Sequence, residues 1–138
     1  MKQLFNSSLL LVALGLASCG KDSDLPEPEP GSLAGSWRLT KVQAMLAGPL
    51  RNETLIFSST QNFQLFRDSN LEAQGTYSLS LAPSCGETAN RPQLAFQATG
   101  PSGYVPQGAY SLQDNTLVID LTNRCFSDGA IYTYQRVP

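Results

Sequence analysis

The sequence predicts an all-β domain, an antiparallel meander of about eight short strands closing as a sandwich or barrel. Three observations predict it: runs in which apolar and polar residues alternate with a period of two, clusters of turn-forming residues between those runs, and a scarcity of helix signals beyond the first segment. Closure suits such a chain because it removes strand edges that would otherwise invite pairing between molecules.

The first element is a different kind of segment. Met1 and Lys2 give a small positive start, and Leu4 to Leu16 is rich in Leu, Val and Ala. An apolar run of about a dozen residues fits the core of a signal peptide and falls short of the roughly 20 needed to span a bilayer. It ends in Leu16-Ala17-Ser18-Cys19, which resembles the lipobox of bacterial lipoproteins, with small residues just before the cleavage point. The resemblance implies that residues 1–18 are removed. It also implies that Cys19 becomes the acylated first residue and that the acyl chains make the membrane a partner.

Residues 19–32 follow as a tether. Between Gly20 and Ser32, Lys21 stands against Asp22, Asp24, Glu27 and Glu29, and Pro26, Pro28 and Pro30 alternate with acid. Such a segment cannot bury enough apolar surface to offset the entropy of ordering, and its Pro-Glu alternation favours an extended spacer. The chain carries 9 basic and 11 acidic residues; from Leu33 onward the two signs balance, so the net charge of −2 belongs to what precedes. No basic patch points to nucleic acid. The acidic cluster behind Cys19 is similar to export signals of surface lipoproteins in the Bacteroidetes. Gly20 stands where an inner-membrane retention signal would carry Asp, which implies the outer membrane, on either face.

Residues 33–138 have the size of one domain. Leu71 to Leu79 is the clearest strand, with apolar or small residues at odd positions and polar ones at even positions. Phe63 and Leu65 alternate with Gln64, although Phe66 breaks the pattern. Leu94 and Phe96 share a face, as do Leu117, Ile119 and Leu121, and then Tyr132, Tyr134 and Arg136. Asp114-Asn115 is a two-residue turn candidate because both residues tolerate positive φ. Thr60-Gln61 and Asp68-Ser69-Asn70 are other short connections. Longer ones are expected from Ala47 to Asn52, Ala82 to Arg91, Thr99 to Pro106 and Asn123 to Asp128.

With Cys19 consumed by acylation, Cys85 and Cys125 form an even remainder, and in an exported chain that suggests one disulfide. Closing a loop of about 40 residues would contribute roughly 4 kcal/mol in the chain-entropy model. Topology opposes this. Connections of a meander alternate between its two ends, and Cys85 and Cys125 fall in the fourth and seventh, whereas a disulfide needs Cα atoms within about 7 Å. Three outcomes stay open: a strand count wrong by one, an Ala82–Arg91 loop running along the wall, or unpaired thiols.

Leu33-Ala34-Gly35-Ser36-Trp37, at the head of the first strand, resembles the Gly-x-Trp opening of lipocalin-like barrels. The hairpins and the closing Tyr132-Thr133-Tyr134-Gln135-Arg136-Val137 are similar to those of small lipocalin-like lipoproteins of the Bacteroidetes. The resemblance implies a lipocalin-like up-and-down barrel whose end is closed by an Arg of the last strand stacked on that Trp, here Arg136 on Trp37. Such a stack has a physical reason, since an indole face attracts a guanidinium by roughly 0.5–2 kcal/mol. The domain is shorter than a lipocalin and carries neither the Thr-Asp-Tyr loop motif nor a C-terminal helix. Both departures argue against a lipocalin-sized cavity.

Equipment for catalysis is thin. The chain has no histidine, no Gly-rich loop with Lys for phosphate and no Cys/His spacing for zinc. Asp120, opposite Leu117, Ile119 and Leu121, reads as a solvated outer residue, and Glu53 as a lone acid just before a strand. The expectation is therefore a non-enzyme with no cofactor and no metal. A small barrel can be filled by side chains or hold one small ligand. The candidate lining is Phe57, Phe63, Leu65, Tyr77, Phe96, Tyr110, Ile119, Tyr132 and Tyr134, with small Ala73 and Gly75 leaving room beside the aromatics. That mix suits a flat or aliphatic molecule with a polar group for a Tyr to meet. The alternative is a filled barrel whose loops serve as an interaction or inhibitor module for another envelope protein.

Overall fold

The computed structural model describes residues 32–46, 48–101, 104–122 and 129–138. Cys19, the expected signal peptide and all of the tether but Ser32 lie outside the described residues, as does Cys125. Eight strands run β1 (Gly35–Gln43), β2 (Glu53–Phe57), β3 (Asn62–Arg67), β4 (Asn70–Pro83), β5 (Asn90–Thr99), β6 (Gly108–Gln113), β7 (Thr116–Asp120) and β8 (Ile131–Val137). Each pairs antiparallel with the next, and β8 pairs back on β1, so the sheet closes as an up-and-down barrel.

Period-two alternation decides which side chains enter the barrel. Leu55 and Phe57 of β2, Phe63 and Leu65 of β3, Ala73 of β4, Leu94 of β5, Leu117 and Ile119 of β7 and Tyr134 of β8 are buried in one core. Two bulges adjust the alternation. In β1 the register slips between Leu39 and Lys41, so that Leu39 and Val42 both reach the core. Between β3 and β4 the pairs Leu65–Ala73 and Phe66–Leu71 leave Glu72 as the extra residue. β3 itself keeps its alternation, so Phe66 stands on the outer wall although apolar and Arg67 turns inward although charged, and the β4 bulge sets exposed Leu71 beside Phe66.

Turns follow local chemistry. Asp68 and Ser69 both adopt positive φ, 49° and 68°, in a two-residue hairpin closed by the Arg67–Asn70 pair, and Asp114 takes φ 50° in the β6–β7 hairpin. Gly75 is needed for closeness: a Cβ there would stand 2.0 Å from the Gln97 carbonyl oxygen of β5. Its lack of a side chain serves strand contact, and Gly75 also borders, with Phe63, a depression of about 420 Å³.

The fourth connection corrects an expectation. β4 and β5 pair out to Pro83–Asn90, so both ends of the expected Ala82–Arg91 loop are strand and the connection shortens to 84–89. The count of eight holds, leaving Cys85 in the fourth connection and 121–130 as the seventh, which open at opposite ends. Cys85 is engaged, not a free thiol.

The β1–β2, β3–β4, β5–β6 and β7–β8 connections gather at one end, called here the mouth. The other end receives both Gly35 and Val137 and is capped. There Trp37 is fully buried, its Nε1 donates to the Leu33 carbonyl at 2.8 Å, and the Arg136 guanidinium lies 4.3 Å over its ring. Arg136 also donates to the carbonyls of Ala34 (2.7 Å) and Ser32 (2.6 Å), which fixes the entering chain across the end of the barrel. Charge-assisted bonds of this kind contribute about 1.5–3 kcal/mol each when sheltered.

Candidate functional site: a hollow at the barrel mouth

Most of the aromatic residues expected to line a cavity pack on one another instead. Phe57 meets Tyr77 edge-on at 4.9 Å and stacks near Phe96 at 6.0 Å, and Phe63 meets Phe96 edge-on at 4.6 Å. Leu65, Ile119 and Tyr134 are fully buried in the same core, and Tyr77, Phe96 and Tyr110 pack against it from its margin. These residues are core, because close-packed aromatic side chains gain more from one another than from an open interior. Of the expected set, Tyr132 borders the hollow that opens at the mouth.

That hollow measures about 340 Å³. Its apolar wall comes from Leu39 and Val42 of β1, from Leu46 and Pro49 of the connection after it, and from Ala130 and Tyr132, the last paired with Val42 across the β1–β8 seam. Its ionic floor was not foreseen as such. Glu53, the first residue of β2, is 3% exposed. One carboxylate oxygen accepts from the Tyr134 hydroxyl at 2.6 Å and the other from Arg67 Nε at 2.7 Å. Register makes this pairing, since Glu53 stands directly across from Arg67 in the β2–β3 hairpin. Burying a carboxylate is costly unless it is paired and hydrogen-bonded, and here both oxygens are satisfied.

The β5–β6 connection completes the rim. It tucks Val105 and Pro106 into the core, which brings the Tyr104 carbonyl within 3.4 Å of Arg67 and the Tyr104 hydroxyl within 3.5 Å of the Tyr132 hydroxyl. Burial, then the neighbouring Glu53 charge, holds the Tyr134 phenol well above its ordinary pKa. Burial, then the bond to Tyr104, does the same for Tyr132. Burial likewise raises Tyr77, helped by Tyr110, and raises Tyr110 itself. At neutral pH the phenols at the mouth are thus hydrogen-bond donors.

With both oxygens occupied, Glu53 is a structural acid rather than a poised base. Asp120 accepts from the backbone N–H and the hydroxyl of Thr122, at 2.9 and 2.5 Å, a local turn contact. Among the described residues no three His, Cys, Asp or Glu side chains gather as a metal site. A larger depression of about 420 Å³ on the outer wall, near Ile56, Gln64 and Gln74, contains no ionisable side chain, so the mouth is the better candidate.

Sequence reasoning missed Glu53 as an inward residue. The signal was there in Glu53-Thr54-Leu55-Ile56-Phe57, where Glu53 shares the parity of Leu55 and Phe57. Comparison with protein-family models, with curated proteins and with solved structures found no match for this chain.

Proposed function

We propose that this chain is a lipid-anchored lipoprotein of the bacterial outer membrane whose lipocalin-like barrel binds a small apolar or aromatic molecule at its mouth. The observation that carries the binding role is the hollow itself: an apolar wall, two phenol donors at the rim and a neutralised ionic floor, at the lower end of the size range of small-molecule sites. A filled core directs binding to the mouth instead of the interior. The role needs no catalytic group. The anchor rests on Leu16 to Cys19, and a bridge between Cys85 and Cys125 belongs to the same reading of an exported chain.

A second reading has one observation in its favour. Met45, Leu46 and Leu50, on the connection after β1, are 89%, 95% and 53% exposed, and such apolar side chains beside a mouth suit a protein partner. Fluorescence titration with N-phenyl-1-naphthylamine, a neutral flat apolar probe, separates the two. Small-molecule binding predicts saturable enhancement that weakens in Leu46→Ser. A protein that leaves the probe dark supports the interaction module instead.

The anchor and the bridge share one measurement. The intact mass of protein extracted from its native membrane should correspond to a chain starting at acylated Cys19, and should rise by about two hydrogens on reduction. A mature chain starting elsewhere removes the anchor, and an unchanged mass removes the bridge.

A further inference from the structure

We infer that the molecule held at the mouth is a small amphipathic anion, a flat or aliphatic body bearing one negative group that Arg51 receives at the rim. The inference rests on the mouth reading above and specifies its ligand class. Among the described residues three charged side chains border the hollow, Arg51, Arg67 and Glu53, a net of +1 for that set. Glu53 and Arg67 satisfy one another at 2.7 Å and are largely sheltered, so the surplus charge resides on Arg51. Arg51 is exposed and makes no ion pair among the described residues. Asp68, Glu72 and Asp120, the other described acids near this end, do not border the hollow.

Arrangement as well as charge supports an amphiphile. Leu46 and Pro49 stand on the same connection as Arg51, so an apolar body lying against them places its charged end within reach of the guanidinium. At the same rim, on the strand paired with β1, the Tyr132 hydroxyl offers a second donor, and a guanidinium with a phenol suits a carboxylate, sulfonate or phosphate monoester. A neutral molecule would satisfy the apolar wall and leave the cation unanswered.

Two probes that share one skeleton test this: 1-anilinonaphthalene-8-sulfonate and N-phenyl-1-naphthylamine, which differ by the sulfonate. The full chain should bind the sulfonate about two- to fivefold more tightly than the neutral probe, as expected for one partly exposed charge contact. Arg51→Gln should bring the two affinities together by weakening the anion alone, and Arg51→Lys should restore most of the difference. Circular dichroism of both variants should match the parent, because Arg51 stands on an exposed connection. Equal binding of both probes, or a sulfonate preference that survives Arg51→Gln, overturns the anion inference and leaves the mouth reading intact. Failure of both probes to bind overturns both.

Discussion

Tyr134 shows how one side chain can serve packing and polarity together. Its ring fills the core and its hydroxyl satisfies Glu53, so the buried carboxylate and the buried phenol each remove the other's cost. The pairing has a consequence for alkaline stability. An exposed tyrosine loses its proton near pH 10, whereas burial and the Glu53 charge raise the pKa of Tyr134 in the folded chain. Below pH 10 both states keep the proton and the contribution is fully present. Above it the unfolded chain ionises first, and stability falls by about 1.4 kcal/mol per pH unit for each such tyrosine until the folded pKa is reached. Tyr132, which is partly exposed and screened by solvent, adds a smaller share in the same direction. Urea midpoints measured from pH 8 to 11 should decline in the parent chain and decline less steeply in Tyr134→Phe. Identical slopes would mean that the fold does not hold this phenol protonated.

Among the elements, the β5–β6 junction is the weakest join of the barrel. Two register pairs hold it, Gln93–Ala109 and Leu94–Gly108, whereas β4 and β5 pair over their whole facing length. Pro92 supplies a reason at one end of the junction, because it has no N–H to continue a ladder past Gln93. At the other end a side chain replaces the missing strand: Gln107 Oε1 accepts the Phe96 backbone N–H at 3.1 Å. Gln107→Ala should cost about 1–2 kcal/mol by leaving that donor unpaired. Hydrogen exchange should show the Phe96 amide losing protection before the amides of β1 and β8 do. If Phe96 exchanges only with global unfolding in the variant, the side chain is not closing the sheet.

At the scale of the whole molecule, the closed meander was legible because alternation and turns are local signals. Leu117, Ile119, Tyr132 and Tyr134 repeat with period two, and Asp114-Asn115 marks its hairpin in two letters. The contact of Arg136 with Trp37 could also be anticipated, through the resemblance of the first and last strands to lipocalin-like barrels. What escaped depended on register. Glu53 reads as a solitary acid until β2 and β3 are aligned and Arg67 arrives opposite it. The two bulges each shift one residue, a displacement no hydrophobic pattern announces, and the one in β4 turns Leu71 out of the face it shares in sequence with Ala73. The extent of β4 and β5 was understated by two residues on each strand, since Ala82–Arg91 and Pro83–Asn90 pair where a loop was expected.

The latch of Arg136 on Ser32 and Ala34 has a bearing on orientation. It fixes Ser32 and Ala34 at the pole farthest from Glu53 and Tyr132, so the leading segment joins the barrel at the end away from the cup. On the proposed anchor, the lipid attachment and the cup would then lie at opposite ends of the barrel, with the tether joined to the closed pole. For the same reason, immobilising the chain through its first residues on a sensor surface keeps the binding face open to flow.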